Sequence, residues 1–291
     1  MAGLCDEVRA TCAHIAAGAR SVSIDHEALE HVEAGPPPKL DPLRHYLEGE
    51  PEDVATYMLV LDAVNFGSGW FPKLSKREGC SGYFTVAWAI ADRFRAHGPW
   101  TNADLRAIRT EEVADTLGQR RDHELMALYA QALRSLGAFL GDRDALALVR
   151  EARGSAERLA STLARGMALF ADRGFYKRAQ IAAADLELAG VARFEDLHRL
   201  TIFADNLVPH VLRCDGVLRY DLALAAHIDA ERLLPADAWE REIRACAVHA
   251  CELVARRLGT SEHELDNWLW NRGQAPEYKR TPRHRTRSVY Y

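Results

Sequence analysis

Residues 236–258 read ADAWEREIRACAVHACELVARRL. Trp239, Ile243, Ala247, Ala250 and Val254 recur at i, i+4, i+8, i+11 and i+15, which is one face of an α-helix. Working outward, the same period governs most of the chain. It predicts helices over Glu7–Ala19, Asp53–Asn65, Ser81–Ala96, Arg121–Phe139 and Tyr176–Ala189. A longer pattern runs over Asp142–Leu169 and is expected to break at Gly154. Shorter capped pieces are expected after Asp25 and within Thr101–Leu117. Ser261, with Glu264 three residues on, is a capping box that starts the last expected helix. Period-two alternation is confined to VSI at 22–24, the region from Tyr83 to Val86, and the tail RSVYY. The reading is an all-α protein of about twelve helices in one layered bundle.

At 291 residues the chain fits one such domain, over 1–291. Gly35-Pro36-Pro37-Pro38 is a stiff linker, and about 35 residues precede it. That is too little for an independent core, so the N-terminal helices within 1–50 are expected to dock on the main body. Lys and Arg number 37 against 42 Asp and Glu, a net charge of −5, which disfavours long nucleic acid but permits a pocket for one phosphate. No apolar run approaches the roughly 18 residues of a membrane span. The N-terminus lacks the basic start and apolar stretch of a signal peptide, so a cytoplasmic protein without membrane partners is expected. Six scattered cysteines without a CxxC pair read as reduced thiols.

Four polar textures interrupt the Ala/Leu background. The first is LDAVNFGSGWFP at 61–72, where a helix ends in a glycine turn flanked by Phe66 and Trp70. It reads either as backbone built to approach a planar ligand closely or as a capping turn with core aromatics. The second is FYKRAQ at 175–180, with Lys177 and Arg178 at a helix start where free N–H groups already favour an anion. The alternative is a solvated basic pair. The third is TIFADNLVPH at 201–210, where Asp205 lies in an apolar run just before a boundary at Pro209; it is an active carboxylate or a plain cap. The fourth is LDNWLWN at 265–271, a helix face carrying Asp266 and Trp270 with Asn267 and Asn271 beside it. It could hydrogen-bond and stack on a heterocyclic base, or be an amphipathic final helix with a tryptophan plug. Cys246, His249 and Glu252 have ligand-like spacing but no second ligand pair, so no metal site is assigned.

At these segments the chain resembles the queuosine salvage protein family, the queuosine 5′-phosphate N-glycosylase/hydrolases. The resemblance is carried by LDAVNFGSGWFP, CSGYFTVAWAI, FYKRAQIAAADL, LTIFADNLVPHVLRCDGVLRY, EIRACAVHACEL, LDNWLWN and RHRTRSVYY, in that order along the chain. It implies an all-helical fold similar to helical-repeat DNA glycosylases. It also implies hydrolysis of the N-glycosidic bond of queuosine 5′-monophosphate, releasing queuine for salvage into tRNA, without metal or organic cofactor. Carried onto this sequence, the family pattern makes Asp205 the carboxylate at the sugar and Phe203 the stacking aromatic. Asp266, Asn267, Asn271 and His45 become contacts to the queuine moiety. The chain departs from the family pattern at Asn206, Asn267 and Asn271.

The chemistry is compatible. N-glycoside cleavage passes through an oxocarbenium-like ribose, which a carboxylate stabilises or attacks. Queuine is a 7-deazaguanine without the N7 that purine hydrolases protonate, and its side chain bears a secondary ammonium with which Asp266 would pair. Lys177 and Arg178 answer the 5′-phosphate, and Asn65 and Trp70 in the glycine turn complete the expected contact set. The competing readings are a helical DNA or RNA glycosylase using the basic run KRTPRHRTR at 279–287, and a non-enzymatic helical interaction module.

Overall fold

The computed structural model describes residues 3–36 and 39–291, so half of the expected proline linker lies outside the described residues. In chain order the elements are α1 (Leu4–Gly18), β1 (Val22–Ile24), α2 (His26–Leu29), α3 (Pro51–Ala63), α4 (Gly82–His97), α5 (Asn102–Ala107), α6 (Thr110–Thr116), α7 (Glu124–Leu140), α8 (Ala145–Glu151), α9 (Ala156–Gly166), α10 (Lys177–Leu188), α11 (Val208–Cys214), β2 (Leu218–Tyr220), α12 (Leu222–Asp229), α13 (Ala238–Leu258), α14 (Glu262–Arg272) and α15 (Pro276–Arg280).

The helices begin and end where local chemistry dictates. Asp25 accepts from the amides of Glu27 and Ala28 at the start of α2, and Ser81 accepts from Phe84 at the start of α4. Ser261 and Glu264 form the expected capping box on α14. Gly154, at φ 74°, separates α8 from α9, and Gly259, at φ 66°, ends α13.

Two apolar cores result. The first is built around α3, whose residues are buried on every side from Tyr57 to Ala63, and packs α4 to α10 about it. The second is built around α13 and packs α1, α2, α11, α12, α14 and a two-stranded antiparallel sheet. In that sheet Val22 pairs with Tyr220 and Ile24 with Leu218. No helix among the described residues is long and apolar enough to cross a membrane.

The architecture is all-helical apart from that ribbon, and three details correct the expectation. Fifteen α-helices occur among the described residues rather than about twelve; α11, α12 and α15 account for the difference. Tyr83–Val86 is the first turn of α4, because Ser81 caps it. The tail RSVYY is not a strand: its neighbourhood holds one isolated bridge, Leu234 to Thr286. Instead residues 282–291 cross between the two cores, and Tyr291 ends there 2% exposed.

Candidate active site

A cavity of about 810 Å³ opens where the two cores meet. The first core contributes Asn65 and Phe66 after α3, Tyr83 and Phe84 of α4, and Lys177, Ile181 and Asp185 of α10. The second contributes Phe203 and Asp205, then Asp266, Asn267, Trp270 and Asn271 of α14. Its size lies within the range of small-molecule sites.

Asp205 lies in an extended run that ends at α11. Its Oδ1 accepts the amides of Leu207 at 2.7 Å and Val208 at 3.1 Å, so the side chain is fixed while Oδ2 remains available to the cavity. The flanking backbone is held twice. The Phe203 amide donates to Asp266 Oδ1 at 2.9 Å, and the Ala204 carbonyl accepts from Arg244 Nε at 2.9 Å. Arg244 is itself clamped by Asp172 and Glu240 and lies between the rings of Phe175 and Tyr291, 3.9 and 4.5 Å from their centroids. Burial and then the neighbouring Asp205 charge push the Asp266 carboxyl up to about 8.

Lys177 stands at the first position of α10, preceded by Tyr176 at φ 50°. Its Nζ donates to the carbonyl and to Oδ1 of Asn65, at 3.0 and 2.9 Å. Burial lowers its pKa, while the charges of Asp205, Asp62 and Asp266 oppose that shift. Behind Asn65, the fully buried Asp62 is pushed well up by burial and then by Asp185, and its Oδ2 has no partner. His45 lines the same cavity, with Nδ1 on the Asp41 carbonyl at 2.9 Å and Nε2 on the Tyr83 hydroxyl at 3.2 Å. Burial lowers its pKa, so neutrality is favoured. The Asn267 amide donates to the His263 carbonyl, and that of Asn271 to the Asn267 carbonyl, leaving both side-chain oxygens for the cavity.

Two expected residues are elsewhere. Arg178 does not line the cavity: its guanidinium donates to the carbonyls of Ala63, Leu169 and Val289 and lies over Phe66 and Phe170. A cation held by three carbonyls and two aromatic faces, 1% exposed, is a pin through the core and is not presented to a phosphate in the cavity. Trp70 is also outside the lining. Its Nε1 donates to Glu124 Oε2 at 2.8 Å, and its ring lies beneath Arg287. The glycine turn does allow a close approach, but of protein rather than ligand. Gly67, at φ 104°, donates its amide to the Tyr291 carbonyl, and a Cβ at Gly69 would stand 2.5 Å from the Thr286 carbonyl.

The model of one family, the queuosine salvage proteins, matches residues 44–291. The chain belongs to that family. Proteins named queuosine 5′-phosphate N-glycosylase/hydrolase align along almost its whole length. One from Sphaerobacter thermophilus is 33% identical over 98% of this chain and 97% of its own. One from Mus musculus is 29% identical over 97% and 98%, and one from Schizosaccharomyces pombe is 26% identical over 85% and 86%.

The family member described here also has cavity residues that reading by motif overlooked. Asp185 follows Lys177 by eight residues in an alanine-rich stretch, and both line the cavity. Arg283 and Arg285 reach the cavity from the tail, together with Lys76. They sit in the basic run 279–287, whose local pattern indicates charge but not direction.

Proposed function

We propose that this protein hydrolyses the N-glycosidic bond of queuosine 5′-monophosphate and releases queuine. One observation carries the reading in a chain of this family: a carboxylate pinned by two backbone amides, with its second oxygen facing a nucleotide-sized cavity beside an aromatic side chain. The bond between ribose C1′ and the base nitrogen breaks, and its electron pair leaves with the base. Asp205 stabilises or attacks the positive charge left on the ribose. Water then supplies the hydroxyl at C1′ and gives up a proton.

The departing deazapurine needs a proton, and Asp266, whose pKa is raised to about 8, is a carboxyl able to carry one at neutral pH. Phe203 stacks on the base, while Asn267, Asn271 and His45 offer hydrogen-bonding atoms to its edge. Lys177 and Asn65 form the wall beside the sugar. The 5′-phosphate falls to Arg283, with Lys76 and Arg285 next to it. Burial lowers the pKa of Arg283 while the Asp205 charge opposes that shift, and burial, then the two arginines, depress that of Lys76. Three cations that repel one another around a cavity mouth are relieved by an anion. Of the pair expected there, Lys177 stands at the sugar wall with Asn65 and Arg178 lies in the core. The substrate is a free nucleotide rather than a polymer, in keeping with the net charge of −5. A cytoplasmic setting fits the six unpaired cysteines.

The test is incubation with queuosine 5′-monophosphate and mass detection of free queuine. Release that depends on Asp205 is expected. Intact nucleotide after prolonged incubation with folded protein rejects the proposal.

A further inference from the structure

Asp266 is the acid that sequence suggests for the ammonium of the base, but one of its oxygens already holds the Phe203 amide beside Asp205. Asp185 is placed differently. It is 8% exposed, lines the cavity, and makes no side-chain hydrogen bond or ion pair among the described residues. It lies two turns along α10 from Lys177, about 12 Å at the helical rise of 1.5 Å per residue. Lys177 feels Asp205 most strongly among its charged neighbours, so α10 runs from the sugar end of the cavity toward Asp185.

The surroundings of Asp185 are aromatic. Burial and then its charge raise the Tyr83 phenol, and the Tyr83 ring meets that of Trp270 edge-on at 5.3 Å. Phe84 completes the corner, 5.6 Å from Trp270, with Arg44 already over its ring. A carboxylate that lines one cavity with Tyr83 and Trp270 is chemistry suited to an alkylammonium: one charge-assisted hydrogen bond and polarisable rings near it.

We propose that Asp185 is the specificity-determining residue that selects bases carrying a cationic amine, with Tyr83 and Trp270 as the walls of that subsite. The proposal rests on the nucleotide reading above for its location, but not on turnover. Asp266 is then freed to position Phe203 and to carry the proton.

The experiment compares wild type with Asp185→Asn on two substrates, queuosine 5′-monophosphate and 7-deazaguanosine 5′-monophosphate, which lacks the amine. The ratio of kcat/KM between them is expected to fall about 10- to 100-fold in the variant, mostly through KM for the amine-bearing substrate. A ratio that stays the same overturns the assignment. Calorimetric binding of free queuine against 7-deazaguanine gives a readout without turnover, in which the variant is expected to lose the wild-type preference for queuine. If wild type shows an Asp185-dependent preference yet releases no queuine, hydrolysis is rejected and the amine subsite stands. If wild type releases queuine and Asp185→Asn keeps the full preference, the subsite is rejected and hydrolysis stands. Replacing an unpaired buried carboxylate by its isosteric amide leaves the fold intact, which thermal unfolding checks.

Discussion

Arg244 and Lys177 are both cations buried among carboxylates, and both act on the segment that carries Asp205. Arg244 is closed in: Asp172, Glu240 and the Ala204 carbonyl take its donors, and two rings cover its faces. Lys177 is left open. Its two protein contacts go to one asparagine, and among the described residues none of the nearby carboxylates, Asp205, Asp62 and Asp266, forms an ion pair with it. Burying charge is costly, and the cost is recovered only when every group is paired. A closed cluster therefore holds chain in place. An open one stores an unmet demand that a ligand can satisfy, and here the closed cluster positions the residue that the open one surrounds.

The sharpest way to break this contrast is to open the closed cluster. Arg244→Met should cost about 3–5 kcal/mol of stability in urea unfolding, since Asp172 and Glu240 are left buried without a counter-charge. A loss under about 1 kcal/mol would mean that the cluster is not closed. Next in size is Asp205→Asn. The amide oxygen still accepts from Leu207 and Val208, so the loop keeps its shape while the charge disappears. A fall of about 10²–10³-fold in kcat is expected, with nucleotide binding retained by calorimetry. Turnover near the wild-type rate would remove Asp205 from the chemistry.

The two clusters should also differ in their response to pH. Unfolded aspartates titrate near 4, whereas Asp185 is raised to about 7 and Asp266 to about 8 in the folded chain. Between these values the folded protein holds protons that the unfolded chain has lost. Their contribution is thus fully present below about pH 4 and is lost as pH rises through 7 and 8. Asp266→Asn should flatten the fall in unfolding free energy between pH 5.5 and 8.5 by about 3 kcal/mol. Identical slopes in variant and wild type would show that Asp266 does not hold its proton. Arg244, whose pKa is raised with Asp172 and Glu240 beside it against the lowering by burial, stays charged across that window and should add nothing to the slope.

Much of this arrangement is legible in the chain. The glycine turn, the start of α10, the run at 201–210 and α14 all stand out as polar breaks in an apolar helical pattern, and all four reach the cavity. What the pattern lacks is direction. Lys177 and Arg178 are neighbours of the same charge, but successive helical residues point about 100° apart. One therefore faces the cavity and the other enters the core, where three carbonyls left over from α3, the 167–170 turn and the tail await a donor. Asp185 went unnoticed because an acid in AAADLEL, with Glu187 two residues on, reads as an exposed helix position. The α12 helix is short and places Leu222 in solvent at 90% exposure, so its apolar period carries little weight. The tail has no period at all; its path is set by Gly67 and Gly69, more than two hundred residues away.

That last point yields the smallest expected effect. If the glycine turn exists to seat the tail, the tryptophan within it serves the same seat. Trp70→Phe removes the donor to Glu124 and shrinks the surface beneath Arg287, two contacts that fasten 287 to the first core. The loss should be about 1 kcal/mol of stability, with KM for the nucleotide within about twofold of wild type. A tenfold rise in KM without loss of stability would return Trp70 to the ligand. It would mean that the turn shapes the cavity directly, rather than through the tail that brings Arg283 and Arg285 to its mouth.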